Sequence, residues 1–129
     1  MKPCKKKQSF KFQFYNKSDP SKRTYNNIVF DSVSEKNRFI ELEKLQKEGV
    51  IYSLERQPEF LLQETFRDNK GNLHRSIKYI SDFMYSTIEG ETIVEDVKSK
   101  MTCKLPEYRI KKKLFIYKYP QYTFFENIM

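Results

Sequence analysis

From Ile28 onward the apolar positions fall into a pattern whose period changes along the chain. Ile28-Val29-Phe30 leads into Ser32 and Glu35, which stand at the spacing of a capping box, where serine and glutamate each satisfy an N–H at a helix start. Phe39, Leu42 and Leu45, with Ile40, then recur at helical spacing. Glu41, Glu43, Lys44 and Lys47 fall outside that stripe, and Gly49 supplies the stop. After this helix the period shortens. Val50 to Leu54 reads as a strand, and Phe60, Leu62, Glu64 and Phe66 mark one face of another beyond the break at Gln57-Pro58. Asp68-Asn69-Lys70-Gly71-Asn72 predicts a turn. Leu73 to Tyr85 predicts one long strand, with Ile80 and Met84 beside Asp82 on one face and Tyr79 and Phe83 on the other, as in a central strand.

Glu89-Gly90 turns the chain into a strand at Thr92 to Lys98, so Asp82 and Asp96 are expected on hairpin-related neighbours. Pro106 suits a first helical position. Ile110, Leu114 and Tyr117 follow at helical spacing up to Pro120, and Tyr122 to Asn127 closes the chain as a strand. The core order is helix, three strands, helix, strand, an α/β class, behind a segment at 1–27 in which only Phe10, Phe12 and Phe14 hint at a strand. No repeat or linker divides 28–129, which is expected to form one domain.

Composition changes this picture in one respect. The 129 residues carry a net charge of +8, and the first 24 hold eight bases against Asp19 alone, so the remainder is close to neutral. A basic arm on a near-neutral body is a footprint of nucleic-acid binding, because each lysine set on a phosphate releases counterions; a solubilising tail is the competing explanation. Eleven Phe and nine Tyr supply core material. Cys4 and Cys103 have no metal-ligand spacing, and no apolar run approaches the roughly 20 residues that cross a bilayer. With no signal-peptide pattern after Met1-Lys2, an intracellular, reducing setting without membrane attachment is expected.

The chemistry concentrates in Val94-Glu95-Asp96-Val97-Lys98. Side chains alternate along a strand, so Asp96 and Lys98 share a face and Glu95 turns away, toward solvent or a helix. Asp82 on the preceding strand can join them. Two acids and an amine can hold a divalent cation, ready a water and offset developing charge, which hydrolysis of a phosphodiester requires. An ion pair between Asp96 and Lys98 is the plainer alternative. Likewise the cap alone explains Glu35.

With Phe30-Asp31-Ser32 ahead of Glu35 and Arg38, Leu54-Glu55-Arg56-Gln57-Pro58, Tyr79-Ile80-Ser81-Asp82-Phe83, Val94 to Lys98, and Lys111 to Phe115 near Tyr119-Pro120, the chain resembles the PD-(D/E)XK nuclease superfamily. Within it the chain is most similar to small phage-borne proteins of the DUF1064 type. The resemblance covers about Ile28 to Asn127 and implies a restriction-endonuclease-like core, a phage or prophage source and a bacterial cytoplasm as the place of action. It implies a Mg²⁺- or Mn²⁺-dependent endodeoxyribonuclease using one or two ions, held by Asp82, Asp96, Glu35 and the backbone carbonyl of Val97. Lys98 is then the motif lysine, expected to stabilise charge and position water rather than act as a base, since nearby carboxylates keep it protonated. Ser81 stands where many relatives have proline.

Branched DNA such as a Holliday junction, cut by a homodimer, is the substrate the resemblance suggests. Lys5, Lys6, Lys7, Lys22 and Arg23 of the arm and Arg109, Lys111, Lys112 and Lys113 of the second helix are the candidate phosphate contacts, against the default of a solvated face. His74 is expected on the surface. A nuclease-like fold serving as a non-catalytic DNA-binding or regulatory protein, and a structural phage component, are the competing functions.

Overall fold

In the computed structural model, which describes residues 18–129, Asn26 and Asn27 both take positive φ, 55° and 66°. Two consecutive left-handed residues make the tight turn whose twist suits paired strands. They join β1 (Thr24–Tyr25) to β2 (Ile28–Val29), antiparallel, after a 3₁₀ turn at Pro20–Arg23. The Phe10, Phe12 and Phe14 pattern, Cys4, and Lys5, Lys6 and Lys7 lie outside the described residues. The chain divides into two compact units between Ile40 and Glu41.

In the first unit Phe30 is buried and packs on Phe39, ring centroids 5.3 Å apart, with Tyr25 edge-on to Phe39 at 6.1 Å. Helix α1 (Val33–Lys47) begins here, as expected from the cap spacing. Ser32 Oγ accepts the backbone N–H of Glu35 at 3.0 Å. The helix ends in a Schellman motif at Gly49, φ +79°, with Val50 N–H on Leu45 O and Gly49 N–H on Gln46 O. Its buried positions are Glu35, Phe39 and Leu42, spaced four and three apart, and Ile40 is exposed. A carboxylate therefore occupies a core-facing position.

The second unit holds the larger sheet, in the order β10-β9-β8-β3, from β3 (Ile51–Arg56), β8 (Phe83–Thr87), β9 (Thr92–Lys98) and β10 (Thr123–Ile128). The first three pair antiparallel; β9 and β10 are parallel, joined through α2 (Pro106–Lys118), the crossover that parallel neighbours need. A smaller sheet pairs β4 (Glu59–Gln63) with β7 (Ile77–Ile80). The predicted turn at 68–72 links a short hairpin of β5 (Phe66–Arg67) and β6 (Leu73–His74), with Asp68 Oδ1 accepting the N–H groups of Lys70 and Asn72, both at 2.9 Å. The architecture is mixed α/β. No helix among the described residues is long and apolar enough to cross a membrane.

Two expectations are corrected. Leu73 to Tyr85 is not one strand but three pieces, broken at Arg75-Ser76 and at Ser81-Asp82. At the second break the chain changes sheets, with Gln57 N–H on Asp82 O and Ser81 N–H on Pro58 O holding the bend. Tyr79 and Met84 consequently join the same core, although an odd separation puts them on opposite faces of a regular strand. The second correction concerns α2, whose predicted stripe of Ile110, Leu114 and Tyr117 is exposed, Ile110 to 61%. Tyr108, Phe115 and Tyr119 form a second stripe at helical spacing, and this aromatic one faces the core. Phe115 is fully buried, 4.7 Å from Phe60, 5.3 Å from Tyr79 and 6.0 Å from Phe124 between ring centroids.

Candidate active site

β9 outruns β8: the last rung pairs Phe83 with Glu95, and Asp96, Val97 and Lys98 continue beyond it. An interior strand that loses a neighbour has backbone groups to satisfy. Asp82, in the bend just before β8, does this with its side chain, Oδ2 accepting the Val97 N–H at 2.7 Å. Because a strand residue sends its N–H and C=O to the same side, the Val97 carbonyl also leaves β9 toward that edge. Asp82 is thereby fixed against the peptide that follows Asp96.

Asp96 is 1% exposed. Its Oδ2 accepts a short hydrogen bond from the hydroxyl of Tyr79 on β7. Among the described residues its Oδ1 receives no aligned hydrogen bond, and it faces Lys98 Nζ at ion-pair distance, 3.1 Å. Lys98 is partly buried and lies over the ring of Tyr108, 4.8 Å from its centroid. Lys112 approaches the same ring at 5.5 Å and is bound to Glu126, at 2.9 and 3.2 Å. Glu126 is the parallel-register partner of Asp96. Three acids, two lysines and two tyrosines thus line one side of β9 and β10.

The tyrosines report the charge there. Burial, then the charge and hydrogen bond of Asp96, push the Tyr79 phenol far above its ordinary value, and the charge of Asp82 adds to the shift. Both candidate acids therefore act on one hydroxyl. Burial, followed by Asp96 and Glu126, raises the Tyr108 phenol in the same way. Each ring stays a neutral hydroxyl donor across the range in which proteins are folded.

Of the residues picked out in the sequence, the structure gathers Asp82, Asp96, Val97 and Lys98. Glu35 is buried on α1 in the first unit. Glu95 corrects the expectation of solvent: it is 0% exposed, bonded by Tyr85 Oη at 2.7 Å and Asn127 Nδ2 at 3.0 Å, on the face opposite Asp96. Arg23 holds the first unit together, its guanidinium donating to Phe30 O at 2.7 Å and Ser18 O at 3.0 Å, while Lys22 is exposed. Lys111 pairs with Glu107 at 3.3 Å and Lys112 with Glu126; Arg109 and Lys113 lie exposed on α2. His74 is on the surface as expected but has a partner, Asp68 Oδ2 at 2.9 Å. Tyr79, Tyr108 and Glu126 were not singled out, since only tertiary pairing brings them to Asp96.

Among the described residues no three carboxylate, imidazole or thiolate groups already converge as a metal cluster. Mg²⁺ does not need three, because it is commonly held by one or two carboxylates together with waters and substrate phosphate. Asp96 Oδ1, which faces Lys98 Nζ and has no aligned donor among the described residues, and the Asp82 carboxylate on the next peptide are hard oxygens of the kind that fits such an ion. A family model described as "protein of unknown function (DUF1064)" matches residues 15–126. Comparison with curated proteins and with solved structures gives no match.

Proposed function

The chain belongs to the DUF1064 family of proteins of unknown function, and we propose that it is a metal-dependent endodeoxyribonuclease with a restriction-endonuclease-like core. The observation that carries this reading is that Asp82 is bonded to the N–H of Val97, the residue after Asp96, with Lys98 Nζ 3.1 Å from Asp96. Both acids act on the Tyr79 hydroxyl, so their like charges share one neighbourhood; Lys98 offsets part of that repulsion and a hard cation would offset more.

Asp82, Asp96 and the Val97 carbonyl would hold Mg²⁺ or Mn²⁺. Such an ion lowers the pKa of its water and draws charge from a phosphate oxygen. Asp96 keeps its position through Tyr79, so the carboxylate needs no reorganisation when substrate arrives. Lys98, steadied over Tyr108, directs an ammonium to the phosphate and to the charge that builds on it. Arg109 and Lys113, exposed on the helix that follows, supply phosphate contacts. A branched substrate cut by a homodimer fits a small basic chain of this type. The Asp96–Lys98 ion pair also favours a second reading, a DNA-binding protein in which the pair is structural.

Incubation of the full chain with four-way, flap, duplex and single-stranded DNA, with Mg²⁺, Mn²⁺ or chelator, separates the two. Metal-dependent nicking of any substrate, lost in Lys98→Ala while binding persists, is the expected result. Tight binding with no cleavage under every condition would establish the non-catalytic reading instead.

A further inference from the structure

Asp96 sits on β9 in the larger sheet, yet the group that orients it comes from the smaller one: Tyr79 on β7, which pairs with β4. Tyr79 is 3% exposed, and its ring is held by Phe60 on β4, Phe115 on α2 and Phe124 on β10, with centroids 6.5, 5.3 and 6.4 Å away. Aromatic neighbours from three elements fix the ring plane, so the hydroxyl has one place to be. It meets Asp96 Oδ2. A carboxylate with one oxygen tied has its other oxygen aimed, and here Oδ1 turns to Lys98, while Asp82 holds the N–H of the intervening Val97.

The core around Tyr79 is filled with rings, and a phenylalanine would pack there as well. What phenylalanine cannot supply is the donor. We propose that Tyr79 is a positioning residue of the nuclease reaction, holding Asp96 so that its Oδ1 is presented to the cation and the scissile phosphate beside Lys98. This rests on the metal-dependent reading above. It adds the smaller sheet to the machinery of the site, because β4 and β7 deliver the hydroxyl that sets the acid on β9. Loss of a partner that orients a metal-binding carboxylate typically costs about 10–100-fold in metal affinity or activity.

The test compares full-length wild type and Tyr79→Phe by calorimetric titration with MnCl₂ and by the Mg²⁺ dependence of four-way-junction cleavage. Tyr79→Phe is expected to weaken Mn²⁺ uptake on the order of 10-fold, to raise the Mg²⁺ needed for half-maximal cleavage to a similar degree, and to leave turnover at saturating Mg²⁺ close to wild type. In an Asp96→Asn background the same change should have no further effect on Mn²⁺ uptake. p-Aminophenylalanine at position 79, which returns an N–H donor to the same ring position, should restore uptake. A folded Tyr79→Phe protein with wild-type Mn²⁺ affinity overturns the inference and leaves the nuclease reading intact. Wild-type protein that neither takes up Mn²⁺ nor cuts removes the reading, and the inference falls with it. If Tyr79→Phe does not fold, the p-aminophenylalanine protein decides alone: uptake near wild type supports the inference, and uptake as poor as Asp96→Asn overturns it.

Discussion

Asp82 accepts the backbone N–H of Val97 at 2.7 Å, completing the edge of β9 where β8 has ended. One carboxylate oxygen thus has a structural duty, and stability and activity should separate. Asp82→Ala leaves a partly buried N–H without its acceptor and should cost about 1–3 kcal/mol in urea denaturation. Asp82→Asn keeps an oxygen there and should cost less than about 1 kcal/mol, yet abolish metal-dependent cleavage.

Tyr108 carries two ammonium groups near one ring, Lys98 at 4.8 Å and Lys112 at 5.5 Å. The attraction belongs to the ring face rather than to the hydroxyl. Tyr108→Phe should therefore hold stability and turnover near wild type, whereas Tyr108→Leu should lose about 0.5–2 kcal/mol on thermal melting and reduce turnover at saturating metal.

The basic residues of α2 should divide into two groups. Lys112 is bound to Glu126, while Arg109 and Lys113 are exposed. In a gel-shift series at increasing salt, Arg109→Ala and Lys113→Ala should each reduce the slope of log affinity against log salt by about 0.9. Lys112→Ala should leave the slope near wild type. A double-mutant cycle on Lys112 and Glu126 should return a coupling of about 0.2–1 kcal/mol.

The two apolar stripes of α2 predict opposite responses to mutation. Phe115→Ala empties the centre of the ring cluster and should cost about 3–5 kcal/mol. Ile110→Gln, on the exposed stripe, should stay within about 0.5 kcal/mol of wild type in the same denaturation assay.

At the β5–β6 turn, the hydrogen bond from His74, then those from the Asn72 and Lys70 backbone, hold the Asp68 carboxyl below its ordinary 3.8. A depressed carboxylate stabilises the fold above its unfolded pKa, and that contribution disappears as pH falls through the lowered value. Following Asp68 by NMR titration, His74→Ala should return its midpoint toward 3.8.

Both helices, the turn at 68–72 and the strand at 92–98 were legible because each has a local cause: a serine cap, a glycine stop, a proline at a helix start, an Asx turn, a Glu89-Gly90 turn before the strand. What local pattern cannot carry is a choice between two equally periodic solutions. Helix α2 offers Ile110 with Leu114 or Tyr108 with Phe115, and only the rings of Phe60 and Tyr79, distant in sequence, decide for the aromatic pair. The break at Ser81-Asp82 was hidden for the same reason, since it is set by hydrogen bonds to Gln57 and Pro58. Asp96 and Lys98 could be placed together by strand parity alone. Tyr79 and Glu126 could not, because one comes from another sheet and the other from a parallel neighbour beyond a crossover helix.

The claim on which the account stands is that Asp82 and Asp96 form one cation site at the end of β8. Crystals of the full chain soaked in MnCl₂, with anomalous diffraction collected at the manganese edge, address it most directly. The account predicts a peak within about 2.0–2.3 Å of a carboxylate oxygen of each residue. Manganese bound elsewhere in the chain, with both carboxylates bare, would contradict it.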